Sequence, residues 1–336
     1  MRRELARVLV AAFLLEVAWG LSSTYLALEI YGELGLPGYF IAMSIGCTSG
    51  FISAITSGIL VNLLRSRRLP LILIISFTSL SLLCCAMSGA NLLLASFLLG
   101  LLLSYEPVAI SSLGEGIDHG EASGIYYAVS RSGISFGLLI GGFLLDHINI
   151  EGLLTISSLL FLSSLPIFPD QDDRMMSMTF KGRTHLRALG ALAPILLAED
   201  LVMPLMYSLL EIKLYEALGR SSLTLGSIYA ISNLLEIATG PLIGKMVDKL
   251  GGLRSFLCSS FVQLAGLLAC ITLSEGEALI LLMLLPIASL YFSSRNKLAV
   301  EISGENSTFM LSFITSISSL SDALFYGLLF LLSGTS

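Results

Sequence analysis

Gly244-Lys-Met-Val-Asp248-Lys-Leu-Gly251-Gly-Leu-Arg254 is a short polar turn between two long apolar runs, and residues 58–68, Gly58-Ile-Leu-Val-Asn62-Leu-Leu-Arg65-Ser-Arg67-Arg68, repeat its pattern 186 residues earlier. The same offset lays Tyr105 on Tyr291, Glu115 on Glu301, and Gly133, Gly137 and Gly141 on Ser319, Ala323 and Gly327. A single coincidence of this kind means little. A constant offset over so many landmarks predicts a chain built as two parallel repeats.

Outward from the turns the chain is apolar. Of its 336 residues 55% are hydrophobic and only 12% charged, with a mean hydropathy of +0.89. A soluble domain carries about 25% charged residues, so this chain has too little polar surface for water and is expected to use the bilayer as its solvent. About 20 apolar residues cross a hydrocarbon core as a helix. Runs of that kind fall at 8–28, 38–61, 69–89, 92–112, 123–145, 150–168, 188–210, 222–243, 254–273, 277–294 and 308–332. The fold class expected is therefore an all-α membrane protein with six spans before the polar segment Asp170 to Arg187 and five after it. The corresponding units are a bundle over 1–169, a linker over 170–187 and a second bundle over 188–336.

Placing the N-terminus in the cytoplasm puts fifteen of the eighteen lysines and arginines on the cytoplasmic side, Lys213 and Arg220 outside, and Arg131 within a span. This agrees with the excess of cationic residues in cytoplasmic loops. It predicts an integral protein of the plasma membrane with an external C-terminus. Arg2 and Arg3 ahead of an apolar run resemble a secretory signal, but apolar character continues to Ile30, so the first span is expected to be retained. The five cysteines lie in apolar runs and the three histidines stand far apart, without the spacing of a zinc site. Gly240-Pro-Leu-Ile-Gly244-Lys245-Met246 lacks both the spacing and the Ser or Thr of a phosphate loop. No metal, cofactor, nucleic-acid partner or enzymatic activity is expected.

The two turns resemble the loop signature of the major facilitator superfamily, G-x-L-a-D-r-x-G-r-k-r. The second copy fits better, because Asn62 and Arg65 stand where the first copy would carry aspartate and glycine. Gly133-x3-Gly137-x3-Gly141-Gly142 is similar to the glycine-rich fifth helix of that family's antiporters, without its proline. The resemblance implies alternating access of two helical bundles around a central cavity lined by helices 1, 4, 7 and 10. It also implies a cytoplasmic latch in which Asp248 engages arginines, from Gly58, Asn62, Arg65 and Arg68 on one turn and Gly244, Gly251 and Arg254 on the other. Three departures stand out. The chain stops where a twelfth helix would begin, which leaves room for a partner or self-association. Ser96 occupies the place of a helix-4 arginine found in proton-coupled members, and Asn62 brings no charge to the first latch.

Ionisable residues inside spans are costly and mark candidate sites. Here they are Glu16, Glu106, Arg131, Glu199, Asp200, Glu236 and Asp322. From the helical rise, Glu106 and Arg131 lie roughly 9 Å and 12 Å from the same face, so they are expected to pair. Pro194 and Pro204 bracket Glu199 and Asp200 and predict a kinked seventh span. Trp19, Tyr25 and Tyr207 could wall a cavity for an organic cation. Six acids against one arginine favour cationic cargo, and carboxylates held away from water can exchange protons. The expectation is a proton-linked carrier of a small organic solute, exporting cationic or amphipathic compounds. A nutrient importer or uniporter, and a non-transporting subunit or receptor of the same fold, stay open as alternatives.

Overall fold

The computed structural model describes residues 2–89, 91–113, 118–145, 147–168, 194, 196–197, 200–207, 209–210, 213–214, 216–219, 222–303 and 307–333. Every regular element among them is helical. The first, α1 (Arg2–Leu64), holds two predicted spans. Gly35 breaks it with φ 68° and ψ −168°, a left-handed φ that glycine adopts without strain, and Pro37 follows. Next come α2 (Arg68–Met87) and α3 (Leu92–Leu101), the latter capped by the Asn91 side chain, which accepts the Leu94 N–H at 3.0 Å. A 3-10 turn over Leu102–Ser104 joins α3 to α4 (Tyr105–Leu113). Its cause is Pro107, which cannot donate to the residue 103 carbonyl and crowds it.

After α5 (His119–Leu145) and α6 (Ile150–Ser164), residues 200–207 are helical. They are followed by α7 (Ser222–Leu250), α8 (Gly252–Thr272), α9 (Gly276–Met283), α10 (Ile287–Ser303) and α11 (Ser307–Ser333). Pro286 marks the break between α9 and α10 as Pro107 does in the fourth span. Nine helical segments among the described residues are long and apolar enough to cross a membrane, and each overlaps one of the eleven predicted runs. The tenth runs to Ile302, eight residues beyond its predicted end, because Arg295 and Lys297 lower the local hydropathy without ending the helix.

Small residues set the helix contacts, as expected where no hydrophobic drive separates helix from lipid. Gly133, Gly137 and Gly141 press α5 onto the first limb of α1: a methyl at Gly133 would sit 2.7 Å from the Phe13 carbonyl, and one at Gly137 would overlap that of Val17. Gly120 and Gly124 face Gly240 and Gly244, so α5 and α7 touch backbone to backbone, and Gly58 of α1 meets Ser312 of α11. We expect Gly137→Ile to destabilise the purified protein by about 1–3 kcal/mol, the usual penalty for overpacking. Gly32→Ala, which meets nothing within 4 Å, should leave the melting temperature within error. Thermal unfolding in detergent checks both.

Candidate functional site

Two sites emerge, one at the end of the molecule that carries the polar turns and one at mid-height. At the turn end Asp248, near the C-terminus of α7, accepts the N–H groups of Gly120 (3.0 Å) and Glu121 (2.7 Å) in the first turn of α5. Lys297 of α10 lies 2.8 Å from the same carboxylate, and Lys245 lies 3.2 Å from Glu121. A carboxylate at a helix N-terminus meets unsatisfied N–H groups and the positive end of the helix dipole. Hydrogen bonds to a charged group are worth about 1.5–3 kcal/mol each, whereas the exposed Lys245 pair contributes little. The expected partners were arginines. Arg65 and Arg254 are exposed instead, and Asp248 meets the α5 backbone and a lysine. Gly251, at φ 82°, turns the chain sharply into α8, and this carries Arg254 away from Asp248. Glu301 accepts the Gly252 N–H at 2.9 Å and secures that turn. The Asn62 side chain lies outside the described residues, and Arg68 is half-buried at the start of α2.

At mid-height a cavity of about 300 Å³ is lined by Arg131 of α5, Asp200, Pro204 and Tyr207 of the seventh span, Glu236 of α7, Tyr291 and Phe292 of α10, and Asp322 of α11. Arg131 Nε lies 3.1 Å from Glu236 Oε2, off the hydrogen-bond direction, so the contact is an ion pair between α5 and α7. The expected Glu106–Arg131 pair is not formed. Glu106 instead accepts the Tyr127 hydroxyl. Matching depths fixed their height but not their bearing around the helix axis: Tyr127, one turn earlier on α5, fills the space beside Glu106, and the longer Arg131 reaches across to α7.

Asp200, almost fully buried, accepts hydrogen bonds from Tyr291 and from Ser318 (3.2 Å), and Arg295 Nη1 stands 3.5 Å away. Arg295 was expected as a loop anchor. It lies within α10 at 1% exposure, with its guanidinium over the rings of Phe292 (4.9 Å) and Tyr291 (5.4 Å). Two attractions, one to a carboxylate and one to aromatic faces, offset part of its desolvation. Glu16 is buried among hydroxyls, with Ser130 and Tyr126 (3.3 Å) hydrogen-bonded to it and Tyr105 beside it. Tyr105 and Tyr291, matched by the 186-residue offset, thus stand at carboxylates of the first and seventh spans, Tyr291 hydrogen-bonded to Asp200. Tyr127 also receives a hydrogen bond from Asn296 Nδ2 at 3.3 Å and stacks on Phe292, linking α5 to α10.

Of the aromatic candidates only Tyr207 lines the cavity. Tyr25 covers the gap left by Gly141 and Gly142 and donates to the Leu138 carbonyl at 2.6 Å, while Trp19 packs against the core. Glu199 lies outside the described residues. Sequence reading missed Tyr105, Tyr126, Tyr127, Ser130, Arg295 and Asn296. The Tyr105–Tyr291 repeat match was the one signal for any part of this set.

With this geometry in place, the chain can be set beside known proteins. No family model and no curated protein matches it by sequence. Its structure superposes on the crystal structure of the human organic anion transporter MFSD10 (TETRAN) with a TM-score of 0.73 and 16% identity, covering 96% of this chain and 92% of that one. The chain thus shares the fold of that transporter, and it is an integral membrane protein whose described residues form helices and no strands. At this identity the likeness shows the fold alone.

The pairing is checked by charge exchange. Arg131→Glu and Glu236→Arg should each lower stability or activity severely, breaking a buried pair costing about 3–5 kcal/mol, and the double exchange should recover much of the loss. Arg131→Glu with Glu106→Arg should not recover. For the latch, Asp248→Asn should raise maleimide labelling of a cysteine at the buried Ser123 position several-fold.

Proposed function

We propose that this chain is a secondary-active carrier that moves a small organic solute across the plasma membrane by alternating access of two bundles, residues 1–169 and 188–336, joined by 170–187. The observation that carries this reading is the cavity at mid-height, charged on both signs and shared between α5 and the second-half helices, next to a latch that ties the same helices at the turn end. A cavity flanked by a reversible contact is what alternating access needs. The latch is two charge-assisted hydrogen bonds and one ion pair, a strength that a solute's differential affinity can overcome. The bias of cationic residues supports a cytoplasmic position for that end.

Coupling to protons belongs to the same proposal, and Glu16 is its best-supported carrier. Hydroxyls can donate to a carboxylate or accept from a carboxylic acid, so the ring of Ser130, Tyr126 and Tyr105 accommodates either form. The structural neighbour is named for organic anions. Here three carboxylates and one guanidinium line the cavity, which favours a cargo bearing at least one positive charge.

The test uses purified protein in liposomes loaded with a pH dye, challenged with organic cations, organic anions, sugars and amino acids. A solute-triggered pH change that Glu16→Gln reduces at least tenfold, with labelled-solute exchange retained, is the expected outcome. Uptake without any proton signal would make the chain a uniporter, and silence across the panel from folded protein would overturn the carrier reading.

A further inference from the structure

The cavity holds two unsatisfied groups of opposite charge, on helices from opposite halves of the chain. Arg131 meets Glu236 as an ion pair through Nε, which leaves its guanidinium N–H groups without a hydrogen-bond acceptor among the described residues. Among the described residues its side chain makes no other hydrogen bond or ion pair, and it stays 28% exposed, against 5% for Glu236. A planar fork of free N–H groups suits a carboxylate. Across the cavity, Asp322 of α11 has neither hydrogen bond nor ion pair among the described residues. It lines the same cavity as Asp200, which it repels, and Arg295 attracts it. Arg295 sits on the Asp200 Oδ1 side, whereas Asp200 Oδ2 is buried without a partner. The cavity thus holds two carboxylates and, in Asp322, acceptor capacity that Arg295 does not fill.

We propose that the cavity binds an amphoteric solute, its primary ammonium on the Asp322 carboxylate beside Asp200 and its carboxylate on the free N–H groups of Arg131. The solute class is the amino acids and their small derivatives. A primary ammonium can donate hydrogen bonds to Asp322, which a quaternary ammonium cannot do. Tyr207, Phe292 and Met203 supply apolar walls for a side chain. Because Arg131 belongs to α5 and Asp322 to α11, the bound solute ties the two halves together. The inference rests on the carrier reading and narrows it.

The test measures ligand-induced thermal stabilisation of the full-length purified protein, which reads binding without transport. The probes are the proteinogenic amino acids, their methyl esters (cation only), their N-acetyl derivatives (anion only), and glycine betaine with carnitine (quaternary). At least one free amino acid should stabilise the protein, and both its ester and its N-acetyl form should bind at least tenfold more weakly, with the quaternary compounds weaker than the amino acid. Asp322→Asn should abolish the advantage over the N-acetyl form. Arg131→Gln with Glu236→Gln, a charge-balanced pair that protects folding, should abolish the advantage over the ester. Esters or N-acetyl forms that bind as well as the free amino acids, or amino acids that are inert while a simple cation or anion binds, would overturn the inference and leave the carrier reading intact. No stabilisation by any probe, together with no solute flux in liposomes, would overturn both.

Discussion

The contact between Asp248 and the first turn of α5 is the constraint on which the rest of the arrangement depends. It sets a carboxylate of α7 against two free N–H groups, and the facing glycines Gly120, Gly124, Gly240 and Gly244 let the backbones meet there. With α5 and α7 held at that spacing, Arg131 reaches Glu236 about two turns along α5 and one along α7 from the glycine contacts, and Tyr127 meets Asn296 on α10. Side chains at the glycine positions would push the helices apart, and each of these polar contacts would lengthen beyond usefulness. A polar interaction at the rim therefore governs the geometry of charges at the centre.

Those central charges are the second constraint. A lone charge inside a membrane protein costs several kcal/mol, and three of the described ones are met in three different ways. Arg295 combines Asp200 with two aromatic faces, Glu16 uses hydroxyls, and Arg131 uses a carboxylate on a neighbouring helix. Most of these solutions join different spans, so a rearrangement of the spans must exchange partners. A fold held together by such contacts has more than one low-energy arrangement to choose between.

The sequence reveals the spans because the bilayer imposes one simple rule, a length of apolar helix, and nine of the eleven runs reappear as membrane-length helices. The 186-residue offset also draws notice to Tyr105 and Tyr291, which stand at the carboxylates Glu16 and Asp200 of the first and seventh spans. What the sequence hides is bearing around each helix axis. Hydropathy and depth place Glu106 and Arg131 at one level, yet their partners are Tyr127 and Glu236. Arg295 is hidden for a related reason: two cations at the end of a run lower its hydropathy whether they face water or a buried carboxylate. Tyr126, Tyr127 and Ser130 are invisible to a search for charge, because a hydroxyl becomes functional only through the acid it happens to face. Tyr25, conversely, looks like a cavity wall by span and type, but the glycines of α5 draw it into helix packing.

The central claim is that the helices tied at the turn end separate there when they close at the other end. Electron-spin distance measurement in liposomes tests it most directly, on a cysteine-free background, with one label pair at Asp118 and Lys249 and another at Phe143 and Thr224. The account predicts two populations whose distances change in opposite senses, short with long and long with short, and whose ratio shifts between acidic and alkaline pH. A single distance at each pair, unmoved by pH or solute, would contradict it.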